Sequence, residues 1–188
     1  MLTSETIVAA IDSNNPAEIK KLQKQGLKLI WQDERGTTLL HFAASKGKEA
    51  IVDYLLRHQV HPDNPYQYTT EKQDKDNLLE CPPLLCAVTN KHIKVAELLL
   101  NAGANIHQES RGGLSPLGAA KRYYHTEMNA TVREQRKAIL DLLETHEKKE
   151  KIELEKKYAS CVRYFNFQKK EELTAKSPQP QNSGCTIL

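Results

Sequence analysis

The feature that most constrains this chain is a helix-pair pattern repeated in register. Its clearest copy runs from Gly36 to Asp63, GTTLLHFAASKGKEAIVDYLLRHQVHPD. Leu39, Leu40, Ala43 and Ala44 fall at helical spacing, with alanines where a neighbouring helix must come close. Gly47 breaks that first helix, and Ile51, Val52, Leu55 and Leu56 make a second apolar stripe. Two helices this short leave most of their apolar surface wet, so they need copies of themselves on either side.

The copies are present. Leu40 and Ala43 recur as Ile7 and Ala10, as Leu84 and Ala87, and as Leu117 and Ala120. The step from Ile7 to Leu40 equals the step from Leu84 to Leu117. The middle step, from Leu40 to Leu84, is longer, which places an insertion of about eleven residues between the second and third units. Leu22, Leu55 and Leu99 each follow their first-helix marker by one constant interval, so a second, independent offset keeps the same phase.

A 33-residue period with T-P-L-H-x-A opening a helix pair resembles the ankyrin repeat. The motif stands here as Thr38-Leu39-Leu40-His41-Phe42-Ala43, as Pro82-Pro83-Leu84-Leu85-Cys86-Ala87 and as Ser115-Pro116-Leu117-Gly118-Ala119-Ala120. LLLNAGANIH, from Leu98 to His107, is similar to the family's end of helix two and following turn. The resemblance covers residues 3 to 144 and implies an all-α ankyrin-repeat solenoid of about four units. These are 3–35, 36–64, 80–112 and 113–144, with the insertion at 64–79, in a domain spanning 1–144.

The units depart from the pattern in ways that can be located. Unit one is a degenerate cap, begun by the hydroxyls of Thr3 and Ser4, with Asn15-Pro16-Ala17-Glu18 starting its second helix. Trp31, the one tryptophan, is expected to pack over the base of the following turn. In unit three Pro82 replaces the capping hydroxyl and Lys91 the glycine between helices. In unit four Ile139, Leu140, Leu142 and Leu143 come about ten residues late, so longer helices or a larger loop are expected around Tyr124 to Thr131. The family resemblance gives His41 a backbone-bonding role; as a catalytic base it would need a nucleophile or carboxylate relay that the sequence does not supply.

Beyond Glu144 the composition changes. Residues 145–168 alternate charge sign at helical spacing, with Ile152, Leu154, Tyr158, Val162 and Phe165 as apolar positions. This reads as a charged helix capping the last repeat, and 169–188 as a disordered tail. The chain ends Cys185-Thr186-Ile187-Leu188, which resembles a prenylation box; a terminal leucine points to geranylgeranyl on Cys185. The implied partners are a host prenyltransferase and a membrane reached through the lipid anchor. Lys169, Lys170 and Lys176 are diluted by Glu171 and Glu172, so the second anchoring signal beside the lipid is weak.

Composition narrows the alternatives. A net charge of +3, from 27 basic and 24 acidic side chains, leaves no nucleic-acid footprint. No apolar run approaches the ~20 residues of a spanning helix, and MLTSETIVAAID lacks a basic stretch before an apolar core. Four irregularly placed cysteines fit a reducing compartment, and Cys81, Cys86 and His92 fall short of a metal set and belong to core packing. No cofactor is expected. The remaining function is capture of a protein partner on the concave groove and turn tips, through Phe42, Ser45, Lys46, Tyr66, Tyr68, Thr89, Asn90, Arg122 and Tyr123.

An ankyrin protein carrying a host-read lipidation box, a low-GC composition and Glu171-Glu172 near its end resembles effectors that intracellular bacteria such as Legionella inject into host cells. A eukaryotic-type ankyrin scaffold or inhibitor, soluble or tethered, is the competing reading, and an enzyme with its site in the irregular fourth unit is a third.

Overall fold

The computed structural model describes residues 3–33, 36–63, 81–110 and 112–175, and of 160–175 the helical backbone alone. The insertion with Tyr66 and Tyr68, the turn-tip residues Arg35 and Arg111, and the tail with Cys185 lie outside the described residues. The described residues form an all-α chain of helix pairs.

All the pairs but the third begin where a side chain takes up amides that the first helical turn leaves open. For α1 (Ser4–Asp12), the Thr3 hydroxyl accepts from the Thr6 amide at 3.3 Å and the Thr6 hydroxyl accepts from the Thr3 amide at 3.1 Å. For α2 (Pro16–Lys24), Asn15 Oδ1 accepts from the Ala17 amide at 3.0 Å. Thr38 caps α3 (Leu39–Ser45), which the short α4 (Glu49–Arg57) follows. The third pair is α5 (Pro83–Thr89) and α6 (Ile93–Asn101); Pro82 sits at the cap of α5 without a side-chain bond. Ser115 caps α7 (Pro116–Thr126) through the Gly118 amide at 3.1 Å, and α8 runs from Ala130 to Ala175.

Packing follows the repeat. The first helices lie side by side in the order α1, α3, α5, α7, and the second helices as α2, α4, α6, each pair closing on itself. Leu40, Leu84, Leu55 and Leu99, the phased markers, are fully buried in one continuous core. Ala43, Ala87 and Ala120 are buried beside them and let the first helices approach. Trp31 packs on this core from the base of its turn, as expected. That turn closes with an antiparallel bridge between Gln32 and Thr38, and within it the Asp33 amide donates to the Thr37 carbonyl at 3.0 Å, as the Ser110 amide does to the Leu114 carbonyl at 3.0 Å.

The late fourth unit resolves into a long helix and a short connector. α7 has 11 residues where α3 and α5 have 7. Glu127–Asn129 then lead into α8, whose Ile139, Leu140 and Leu143 are buried in the common core. The chain divides within α8 into one unit ending at Glu147 and another beginning at Lys148. Residues 169–175, expected in an unstructured tail, are helical: loss of apolar period removes a packing face, but the residues stay good helix formers with no proline before Pro178. Ile152, Leu154 and Tyr158, read from the sequence as part of the capping helix, are exposed.

The turn between helices is left-handed in three units, at Asn14 (φ 51°), Gly47 (φ 67°) and Lys91 (φ 64°). Gly47 is needed twice over, because a Cβ there would lie 2.5 Å from Nδ1 of His92 in the next unit. The His92 ring is held in place by Nε2 at 3.1 Å from the Ser45 carbonyl. Lys91 bears the backbone cost that Gly47 avoids. Replacing Lys91 by glycine is therefore expected to stabilise the fold by up to about 1 kcal/mol, while Gly47→Ala costs about 1–3 kcal/mol in urea unfolding.

Candidate functional site

Stacking of α3, α5 and α7 places the sequence-selected groove residues on a row of adjacent first helices. Phe42 lies in the middle of α3, Ser45 and Lys46 at its end, Thr89 and Asn90 at the end of α5, and Arg122 and Tyr123 within α7. Their side chains are not equivalent. Phe42 and Tyr123 are half-buried against the core. The Ser45 hydroxyl donates to the Phe42 carbonyl at 3.0 Å, and that of Thr89 donates to the Leu85 and Cys86 carbonyls at 2.9 and 3.0 Å. Asn90 Nδ2 donates to the Cys86 carbonyl at 2.9 Å. Lys46, Asn90 and Arg122 are the exposed members of the row.

Lys46 is engaged across the repeat boundary. Its Nζ lies 2.7 Å from both carboxylate oxygens of Asp12, at the end of α1. Lys48 Nζ donates to the Asp12 carbonyl oxygen at 2.7 Å. The Lys46 hydrogen bond, aided by the charges of Lys46 and Lys48, holds the Asp12 carboxyl below its usual range against partial desolvation. Sequence reasoning missed Asp12. Adding the repeat period to its position would have placed it beside Lys46.

A second missed cluster secures the fourth unit. The Arg136 guanidinium lies 4.8 Å from the Tyr123 ring centroid, and its Nε is 3.2 Å from Glu127 Oε2. Glu127 Oε1 accepts from the Asn129 amide at 3.1 Å. That backbone bond, then Arg136, lowers the Glu127 carboxyl from its ordinary value. Arg133 sits over Tyr124 at 5.3 Å. Tyr123 thus supports the α7–α8 junction as well as facing the row.

His41 is structural. Only 2 % of it is exposed, and its Nδ1 lies 2.7 Å from the Thr38 hydroxyl and 3.4 Å from the Thr38 amide that donates to it. Burial pushes its pKa from 6.5 down to about 4, opposed by a backbone hydrogen bond at Cys81 and by the charge of Asp33. The imidazole is neutral at neutral pH, and its ring ties unit two to the start of unit three.

Cys81 and Cys86 are free thiols. The Cys86 thiol, buried and hydrogen-bonded to Cys81, is pushed well up, and the same bond lowers Cys81. His92 is committed to Ser45 and does not join them. Among the described residues no group of three or more His, Cys, Asp and Glu side chains could hold a metal ion.

The model for ankyrin repeats in three copies matches residues 7–110. The chain belongs to the ankyrin-repeat family. Its curated relatives include diacylglycerol kinase zeta of Rattus norvegicus, 25% identical over 126 residues, which are 67% of this chain and 13% of the relative. Another is the phosphocholine transferase AnkX of Legionella pneumophila, 28% identical over 123 residues, 62% of this chain and 12% of that protein. The chain therefore spans only a small part of these relatives' length. Ankyrin repeats are protein-interaction modules, which implies a protein partner.

Because folding favours neutral His41, its contribution is complete above pH 6.5 and is lost as pH falls from there through about 4. The fully developed loss is roughly 3 kcal/mol, at about 1.4 kcal/mol for each tenfold change in proton affinity. His41→Gln or His41→Asn should flatten this part of the pH–stability curve measured by denaturant unfolding.

Proposed function

We propose that this ankyrin protein is a non-enzymatic adaptor that captures a protein partner on the α3–α5–α7 row and is tethered to a membrane by geranylgeranyl on Cys185. The carrying observation is the stack itself. Three first helices in register present Lys46, Asn90 and Arg122 outward. Tyr66 and Tyr68, in the insertion between the second and third units, would extend this surface. No helix among the described residues is long and apolar enough to cross a membrane. A thioether on Cys185 would supply attachment without one.

The setting that best unites these features is secretion by an intracellular bacterium into a host cell, whose prenyltransferase reads the CTIL ending. The protein would then work on the cytosolic face of a host membrane. The likeness to AnkX, and Glu171-Glu172 as an acidic patch in the tail, support this reading. The comparable likeness to the rat kinase supports a eukaryotic-type ankyrin scaffold instead.

Expression in eukaryotic cells separates these features. Intact mass should show a geranylgeranyl addition that Cys185→Ser abolishes, with the membrane fraction falling; an unaltered native mass removes the tether. Substituting the exposed trio as Lys46→Glu, Asn90→Lys and Arg122→Glu should abolish cross-linking to a partner. The loss of the Lys46–Asp12 pair should cost no more than about 1 kcal/mol. Retained cross-linking would place capture on another face.

A further inference from the structure

The start of α5 is built differently from the other first helices. Thr3, Thr38 and Ser115 cap α1, α3 and α7 through their hydroxyls, whereas Pro82 offers α5 no side-chain bond. With Pro82 at the cap, Cys81 stands just before it and Cys86 is the fourth helical residue. Side chains at these two positions meet across a helix start and fix the angle at which the chain enters it. The equivalent pairs are Thr37 with Phe42 at α3 and Leu114 with Ala119 at α7; at α5 both members are thiols.

The two thiols are in contact, in unlike surroundings. The Cys86 sulfur lies 3.7 Å from the Cys81 carbonyl oxygen and is hydrogen-bonded to the Cys81 thiol. Cys86 is buried, while Cys81 is half-buried and within reach of a small reagent. Their hydrogen bond holds the Cys81 thiol below its ordinary value and pushes Cys86 up, so the reachable sulfur is also the one that ionises more readily. A reachable thiolate with a second thiol against it is the arrangement in which a sulfenic acid is resolved as a disulfide.

We propose that Cys81 and Cys86 form a peroxide-reactive dithiol, with Cys81 as the attacking sulfur and Cys86 as the resolving one. The Cys81 thiolate attacks one peroxide oxygen and the O–O bond breaks. Hydroxide leaves and takes up the proton lost from the Cys81 thiol, which gives water and a sulfenic acid on Cys81. The Cys86 sulfur then attacks the Cys81 sulfur, the S–O bond breaks, and the hydroxyl departs as water with the Cys86 proton. Hydrogen peroxide is thereby reduced to water while the two thiols are oxidised to one disulfide. The new bond closes the start of α5, where Pro82 provides no cap. It depends neither on the partner-binding row nor on Cys185.

The test uses the full chain carrying Cys161→Ser and Cys185→Ser, which leaves this pair as its only thiols. Hydrogen peroxide is expected to remove both free thiols and to lower the intact mass by two hydrogens, and dithiothreitol should restore them. Adding Cys86→Ala should stop the reaction at the sulfenic acid, read as a mass gain of one oxygen and captured by dimedone. Adding Cys81→Ala instead should leave Cys86 a thiol. Iodoacetamide should alkylate it at least ~10-fold more slowly than Cys81 in the Cys86→Ala protein. Circular dichroism checks that each variant is folded, and the protein with both thiols gives its result without them. Thiols that survive peroxide, a sulfenic acid that persists on Cys81 with Cys86 present, disulfide-linked dimers in place of the internal bond, or equal alkylation of the two sulfurs would each overturn the proposal.

Discussion

Everything in the repeat domain depends on burial between units. α3 alone is 7 residues, too short to be stable as an isolated helix in water. It persists because Leu39, Leu40, Ala43 and Ala44 are covered completely by neighbouring helices. The alanines are as important as the leucines: they bring the first helices close enough for His92 to reach the Ser45 carbonyl. That closeness is also why Gly47 has no room for a side chain.

The departures from the repeat are tolerated because they fall where this burial is not at stake. Pro82 leaves α5 without a side-chain cap, yet Leu84 and Leu85 stay buried. Lys91 accepts a left-handed backbone in the turn, and His92 beside it still reaches the preceding unit. In unit four the extra length goes into α7 and the Glu127–Asn129 connector, held by Arg136, Glu127 and Tyr123, while Ile139 and Leu143 still reach the core. The binding row inherits its spacing from the stack, and its character from which side chains the stack leaves exposed.

Fold class, the helix pairs and the phased leucine and alanine markers of the core were legible in the sequence, since a fixed period with leucine markers at a second constant spacing admits few other readings; Tyr54, Val60, Val95, Leu100 and Ile106 join that core without having been singled out. The backbone-bonding role of His41 was legible through the ankyrin motif. The site was legible only as a list. Of the residues chosen by counting from the markers, Phe42 and Tyr123 are half-buried, and Ser45, Thr89 and Asn90 donate to carbonyls of their own helices. Counting places a residue on a face of a helix; it does not say what its polar atoms already bind.

The sequence by itself determined the repeat, its four-unit extent, the insertion after the second unit and the composition of the segment that ends α8. Those are periodic or compositional facts, and short-range physics suffices to read them. Tertiary structure alone decided that Lys46 is paired with Asp12, that Arg136 lies over Tyr123, and that Gly47 is confined by His92. Each of these joins residues distant in the chain, and their meeting depends on how adjacent units are rotated and spaced.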